Sequence, residues 1–253
     1  MVACFRKKDV FASRLAFCFS MPCVITGLAA GLSSLPAQAD DWGLSLALSS
    51  DYVVRGITRS MGQGSQSLDY GWRHNSGWAV DLGLVALHQD AEGRLLQASA
   101  RVAQGWQWDQ DWSGDLSYTH AAYPGSTQRR NFNYDEVSGR MVWQGRWFIS
   151  GSWFPKMSRR TAQNSLLNAP AFSASLGLHQ NLPLSLALDA GLGVYSHRSD
   201  PARSYAFGSV DLSWTRGPWQ CHLSHIASNA ESQGFSQAGR AGQRWLATLQ
   251  LGF

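Results

Sequence analysis

The chain has 253 residues, with 21 Lys and Arg against 17 Asp and Glu and a net charge of +4. The first 39 positions carry four of those 21 basic residues (Arg6, Lys7, Lys8, Arg14) and one of the 17 acidic ones (Asp9), leaving a nearly neutral 17 against 16. That balance removes the electrostatic case for nucleic-acid binding, and Cys221, the single cysteine after position 39, excludes an internal disulfide.

The basic start is followed by an apolar run over 15–32 and then by Ala37-Gln38-Ala39. This order predicts a secretory signal peptide over 1–39, cut after Ala39. Pro22, Gly27 and Gly31 break the run, which argues against an anchoring helix, and Cys23 follows Ser20-Met21-Pro22 rather than a lipobox. Residues 40–253, about 214 positions, show no composition break and suit one all-β domain.

Beyond residue 40 the chain alternates apolar and polar residues in stretches of roughly ten, the signature of strands with two unlike faces. Trp42, Leu44, Leu46 and Leu48 oppose Ser45, Ser49 and, at the top of the first strand, Asp51 and Arg55. Leu68, Tyr70 and Trp72 oppose Asp69 and Arg73; Val80, Leu82 and Leu84 oppose Asp81 and Gly83. Leu96, Ala98 and Val102 oppose Gln97 and Arg101, and Trp112, Leu116 and Tyr118 oppose Asp115. Val137, Met141 and Trp143 stand against Glu136 and Arg140, and Trp147, Ile149 and Trp153 against Ser150 and Ser152. Phe172, Leu176 and Leu178 then oppose His179; Leu184, Leu186, Leu188 and Leu192 oppose Asp189; Val210, Leu212 and Trp214 oppose Asp211. Trp219, Cys221 and Leu223 oppose His222 and Ser224, and Trp245, Ala247, Leu249, Leu251 and Phe253 oppose Arg244. Twelve strands result, with ionisable groups on the polar phase except His120 and His225. A soluble sandwich also alternates, but its wet face tolerates many lysines; here Lys156 is the only one after residue 39.

Five connections are short: Asn75-Ser76-Gly77, Asp109-Gln110-Asp111, Gln144-Gly145-Arg146, Asn181-Leu182-Pro183 and Gly217-Pro218. Six longer ones fall near 57–64, 88–93, 124–131, 155–169, 196–204 and 227–241. Short and long alternate, and Trp72/Trp78, Trp108/Trp112, Trp143/Trp147 and Trp214/Trp219 flank the short ones like an interfacial girdle. The expectation is an antiparallel transmembrane β-barrel of a Gram-negative outer membrane, with periplasmic turns and extracellular loops. Phe253 closing an alternating strand looks like the signal that barrel-assembly machinery recognises transiently.

Three motifs carry a family resemblance. Ser50-Asp51-Tyr52-Val53-Val54-Arg55-Gly56-Ile57-Thr58 resembles the opening motif of the TorF family of proteobacterial porin-type proteins. Tyr123-Pro124-Gly125-Ser126 and Asn133-Tyr134-Asp135-Glu136 resemble its mid-chain pair. Thr58 and Met61-Gly62-Gln63-Gly64 depart from the family pattern. The resemblance implies an outer-membrane barrel and a pore, and no particular solute; the family's role is itself inferred from fold.

The function expected is passive diffusion of small polar solutes through a porin-like channel surrounded by outer-membrane lipids and lipopolysaccharide, with no cofactor or metal. Asp51, Arg55, Asp69, Arg73, Asp81, Arg101, Asp115, Glu136, Arg140, Asp189, Asp211 and Arg244 would line the lumen. Asp51 with Arg55 would form either a constriction pair or an ion pair fixing strand and loop, and Tyr134, Asp135 and Glu136 would bond at the rim or touch solute. Two other readings stay open. One is a lipid hydrolase using His222 and Ser224, two apart on one strand face; the other is a non-conducting structural barrel. Arg59, Arg129, Arg130, Lys156, Arg159, Arg160, Arg198, Arg203 and Arg240 outnumber Asp90, Glu92, Asp200 and Glu231 in the loops. They would either draw anions to the mouth or bind lipopolysaccharide phosphates.

Overall fold

A computed structural model describes residues 41–89, 93–124, 133–160, 166–198, 204–230 and 241–253. The expected signal peptide over 1–39 therefore lies outside the described residues. The chain order is β1 (Asp41–Ser49), two short strands β2 (Val53–Val54) and β3 (Ile57–Thr58), then β4 (Ser65–Arg73), β5 (Trp78–Gln89), β6 (Gly93–Gln107) and β7 (Trp112–Ala122). It continues with β8 (Tyr134–Trp143), β9 (Trp147–Arg160), β10 (Leu166–Leu182), β11 (Leu186–His197), β12 (Tyr205–Arg216), β13 (Trp219–Ser228) and β14 (Arg244–Gly252).

Twelve of these strands close into one antiparallel barrel in which each strand pairs with its neighbours along the chain and β14 returns to β1. The seam runs from Ser45 opposite Gly252 to Ser49 opposite Thr248, and beyond it the Phe253 amide donates to Leu44 O at 2.8 Å. Closure leaves no unpaired edge. The exceptions are β2 and β3, which pair only with each other.

Period-two alternation sets which side chains face out. Leu46, Leu48, Leu82, Leu116, Ile149, Leu176, Leu192 and Leu223 are exposed on the outer wall, while Ser45, Gln97, Arg101, Glu136, Asp211, Gln220 and Thr248 are buried inside. A barrel folded for water would have the reverse. Trp42, Trp78, Trp106, Trp108, Trp112, Trp143, Trp147, Trp214 and Trp219 are exposed on the outer wall around the end with the short turns. We call this the turn end, and the opposite one the loop end.

Three connections differ from expectation. β10 runs through Leu182, so its turn is Pro183-Leu184-Ser185, with Leu184 and Ser185 at φ 61° and 59° rather than in a strand. β9 and β10 extend to Arg160 and from Leu166, so most of the expected 155–169 loop is wall. Pro170, which has no N–H for the ladder, sits where the register shifts between Ala169 and Ala171. β5 and β6 likewise reach Gln89 and Gly93 and narrow the expected 88–93 loop.

Candidate functional site in the barrel interior

The interior divides into two halves of different chemistry. Near the turn end, charges step from strand to strand across one arc of the wall. Arg73 on β4 lies 3.6 Å from Asp81 on β5, and Arg101 on β6 donates to Asp81 at 3.0 Å and to Asp115 on β7 at 2.9 Å. Arg140 on β8 stands opposite Asp115 in register, with its guanidinium 4.5 Å from the centre of the Phe148 ring. Asp69 accepts from Ser67 at 3.0 Å and lies over Gly83, where a Cβ would come 2.9 Å from its carboxylate. The charges alternate along one row. Arg73, Asp81 and Asp115 keep 26%, 21% and 22% of their side chains exposed.

On the opposite arc His179 meets Asp189 at 2.8 Å, and Asp189 stands opposite Asp211 in register. Asp211 takes His222 Nδ1 at 3.0 Å on one oxygen and the Ser224 hydroxyl on the other. This is not the geometry of a nucleophile bonded to its base. The nucleophile must donate to the base, yet here hydroxyl and imidazole both turn to the carboxylate. The buried His222 Nε2 has no hydrogen-bond partner among the described residues.

The loop-end half is built differently, and two expectations need correcting there. Asp51 and Arg55 are not at the top of the first strand, because β1 ends at Ser49 and residues 50–64 turn into the barrel. Arg59, expected in the first outer loop, belongs to the same infolded segment, where its amide donates to Tyr52 O at 2.7 Å. Val53 pairs with Thr58 and Val54 with Ile57, leaving Arg55-Gly56 as a two-residue turn with φ of 50° and 75°. Positive φ at both central positions is the turn whose twist suits a hairpin. Arg55 adopts it without glycine's freedom because its side chain is held: Nη2 donates to the two Glu136 oxygens at 2.9 and 3.0 Å, and the guanidinium sits 4.4 Å from the Phe154 ring centre. Side-chain exposure is 3% for Arg55 and 0% for Glu136.

The hairpin touches the wall on several sides. Tyr52 and Val54 pack with Val85, Leu87 and Tyr123; Val53 packs with Ile226 and Leu246. Ile57 lies against a cluster containing Phe154, Ala171, Tyr195, Tyr205 and Phe207. Gly56 is wedged so closely that a Cβ would come 2.6 Å from Ser228 Cβ and 2.9 Å from Phe207 Cβ. Asp51 anchors the base by accepting from Tyr52 N, Thr58, Ser60 and Gly62 N, and from Arg244 Nη1 at 2.8 Å. Inward positions that are polar near the turn end are thus apolar here, since Phe154 shares its face with Ser150, and Phe207 and Tyr205 share theirs with Asp211.

Two motifs far apart in sequence meet at this point. Glu136 bonds the hairpin tip, and Tyr123, whose amide donates to Asn133 Oδ1 at 3.0 Å, packs on Tyr52 and Val54. The expected trio splits, as alternation requires. Glu136 is buried against Arg55, and Tyr134 packs inside against Phe154 at 5.9 Å between ring centres. Asp135 is exposed with Tyr118 and His120. His225 stands outside against Trp245, 4.9 Å between ring centres. Of the expected loop charges, Arg129, Arg130, Arg203, Arg240, Asp90, Glu92, Asp200 and Glu231 lie outside the described residues, as do the side chains of Arg159 and Arg160. Sequence reasoning missed the hairpin, Phe154 and the histidine–aspartate pairs. Val-Val and Ile-Thr flanking Arg-Gly was the available signal for the hairpin.

No protein-family model and no curated protein matches the chain. Solved structures do match in shape. A structure described as KdgM porin has a TM-score of 0.54 at 9% identity, covering 83% of this chain and 99% of that one. NanC porin has a TM-score of 0.56 at 9% identity, covering 84% and 98%. KdgM porin in complex with disordered oligogalacturonate has a TM-score of 0.52 at 7% identity, covering 85% and 99%. At such identities the likeness is one of fold.

Proposed function

We propose that this chain is a porin-like channel of the bacterial outer membrane that passes small polar solutes by passive diffusion. The observation that carries the reading is the inverted barrel, with exposed Leu and Trp outside and partly hydrated Arg and Asp inside. Hydrocarbon tolerates such an outer wall, and barrel closure satisfies every ladder bond without water. The tryptophans near the short turns suit a headgroup level, and with the short turns read as periplasmic the loops would lie among lipopolysaccharide. The leader over 1–39 would direct export, and the strand ending in Phe253 would engage the assembly machinery. Asp69, Arg73, Asp81, Arg101, Asp115, Arg140, Asp189 and Asp211 would line the path, and Asp51, Arg55, Glu136 and Arg244 would sit at its loop end. The porins of similar fold support this reading, and the Asp211-centred bonding of His222 and Ser224 argues against catalysis.

Single-channel recording of refolded protein in planar bilayers tests it, with discrete conductance steps expected. A folded barrel that stays silent even with its hairpin removed would end the channel reading. That result would favour a non-conducting structural barrel, a reading the packed hairpin itself recommends. Heat-modifiable migration of the outer-membrane fraction and an N-terminus at Asp40 check location and cleavage. Lipase and deacylase assays on His222→Ala and Ser224→Ala, with no activity to lose, check the absence of catalysis.

A further inference from the structure

Segment 50–64 leaves and re-enters the wall at two directly paired residues, Ser49 and Ser65. Its shape is held from within: Asp51 Oδ1 accepts from Tyr52 N at 2.7 Å, Ser60 Oγ at 2.6 Å and Gly62 N at 3.3 Å, and from Thr58 Oγ1. Charged links tie it to the wall, among them Arg55 to Glu136 and Asp51 to Arg244. Gln97 Nε2 also donates to Tyr52 OH at 3.3 Å, Ser50 exchanges bonds with Ala247, and apolar packing against walls on opposite sides of the barrel seats it. Swinging the segment out would keep the internal bonds and break only the wall links and the packing. Gly62, at φ 77°, and Gly64 sit beside the point of re-entry.

We propose that segment 50–64 is a hinged plug that shuts the loop end of the pore, with Arg55–Glu136 and Asp51–Arg244 as its latches. The proposal rests on the channel reading. Burying an ion pair costs desolvation comparable to the attraction it gains, so an outward, rehydrated hairpin competes with the seated one. Two discrete arrangements separated by a modest free energy make a switch. The buried Arg55 and Glu136 make the seated state selective, because neither charge tolerates loss of the other inside the barrel.

The test records single channels from four refolded proteins: the full barrel, Glu136→Gln, the double variant Arg55→Met with Glu136→Met, and a barrel with residues 51–62 replaced by Gly-Gly. Boiling-dependent gel migration shows that each has folded. The deletion variant is expected to conduct continuously, and the full barrel to stay mostly shut, with rare openings to a similar level. Glu136→Gln takes the buried carboxylate from Arg55 and should raise the open fraction by about a hundredfold, while the double variant, with an apolar seam, should return toward the shut state. A full barrel as steadily conducting as the deletion variant would remove the plug and leave the channel standing. A folded but silent deletion variant would remove both. An open deletion variant with Glu136→Gln still shut would remove the latch.

Discussion

The two halves of the interior use the same ionisable residues to opposite ends. At the loop end Arg55 and Glu136 are paired in a dry core, with an aromatic ring against the guanidinium and 3% and 0% exposure. At the turn end Arg73, Asp81, Arg101 and Asp115 form a row in which each charge has neighbours on both sides or water. A dry pair depends on both members. A hydrated row redistributes charge when one member is lost, because water and the next residue take over. The loop end therefore reads as structure that holds a conformation, and the row of charges near the turn end as a surface that keeps contact with solvent.

The largest expected effect breaks this contrast at its dry side. Glu136→Gln should destabilise the folded barrel by about 3–5 kcal/mol, whereas Asp115→Asn should change it by about 0–1 kcal/mol. Urea unfolding in lipid vesicles measures both, and equal losses would erase the distinction between the halves. Next comes the wedge. Gly56→Ala adds a Cβ that would meet Ser228 and Phe207 at 2.6 and 2.9 Å, while the same change at Gly217, also at positive φ, meets nothing within 4 Å. The expected difference between the two variants is about 1–3 kcal/mol, from overpacking alone, and paired thermal melts read it.

Ser224→Ala sharpens the comparison at a second buried group, on the arc opposite the hydrated row. It removes one of the two side chains bonded to Asp211 and should lower stability by about 1 kcal/mol with no change in any hydrolytic assay. Arg101→Gln comes last because its signature is electrical: the guanidinium bridges Asp81 and Asp115 at 3.0 and 2.9 Å. Arg73, Arg101 and Arg140 stand against Asp69, Asp81, Asp115, Asp189 and Asp211 in this half, so the hairpin-deleted pore should favour cations. Removing Arg101 should increase that preference, most at low salt, where screening is weakest. Reversal potentials under a salt gradient measure it, and a shift toward anions would contradict the charge assignment.

The barrel was legible in the sequence because alternation is a local property. Each residue's face follows from its parity in the strand, so Trp42, Leu82 and Leu212 outside and Asp81, Arg101 and Asp211 inside could be read without any partner. The connections were less legible. Nothing local distinguished wall from loop at 155–169, and the extent of β9 and β10 follows from their pairing with each other.

Depth and interior filling lay beyond the sequence. Parity gives Phe154, Tyr205 and Phe207 the same inward direction as Ser150 and Asp211, yet cannot say that a hairpin waits there to bury them. Asp51 and Arg55 continued the alternation of the first strand and were assigned to it, because a strand and an infolded segment share that pattern over a few residues. What separates them is contact with residues remote in the chain: Glu136, Arg244, Ser228 and Phe207. Alternation determined a barrel with an apolar outside and a charged inside. Only the closed tertiary structure decided which charges became dry cross-links and which stayed wet, since desolvation depends on what the opposite wall brings within reach.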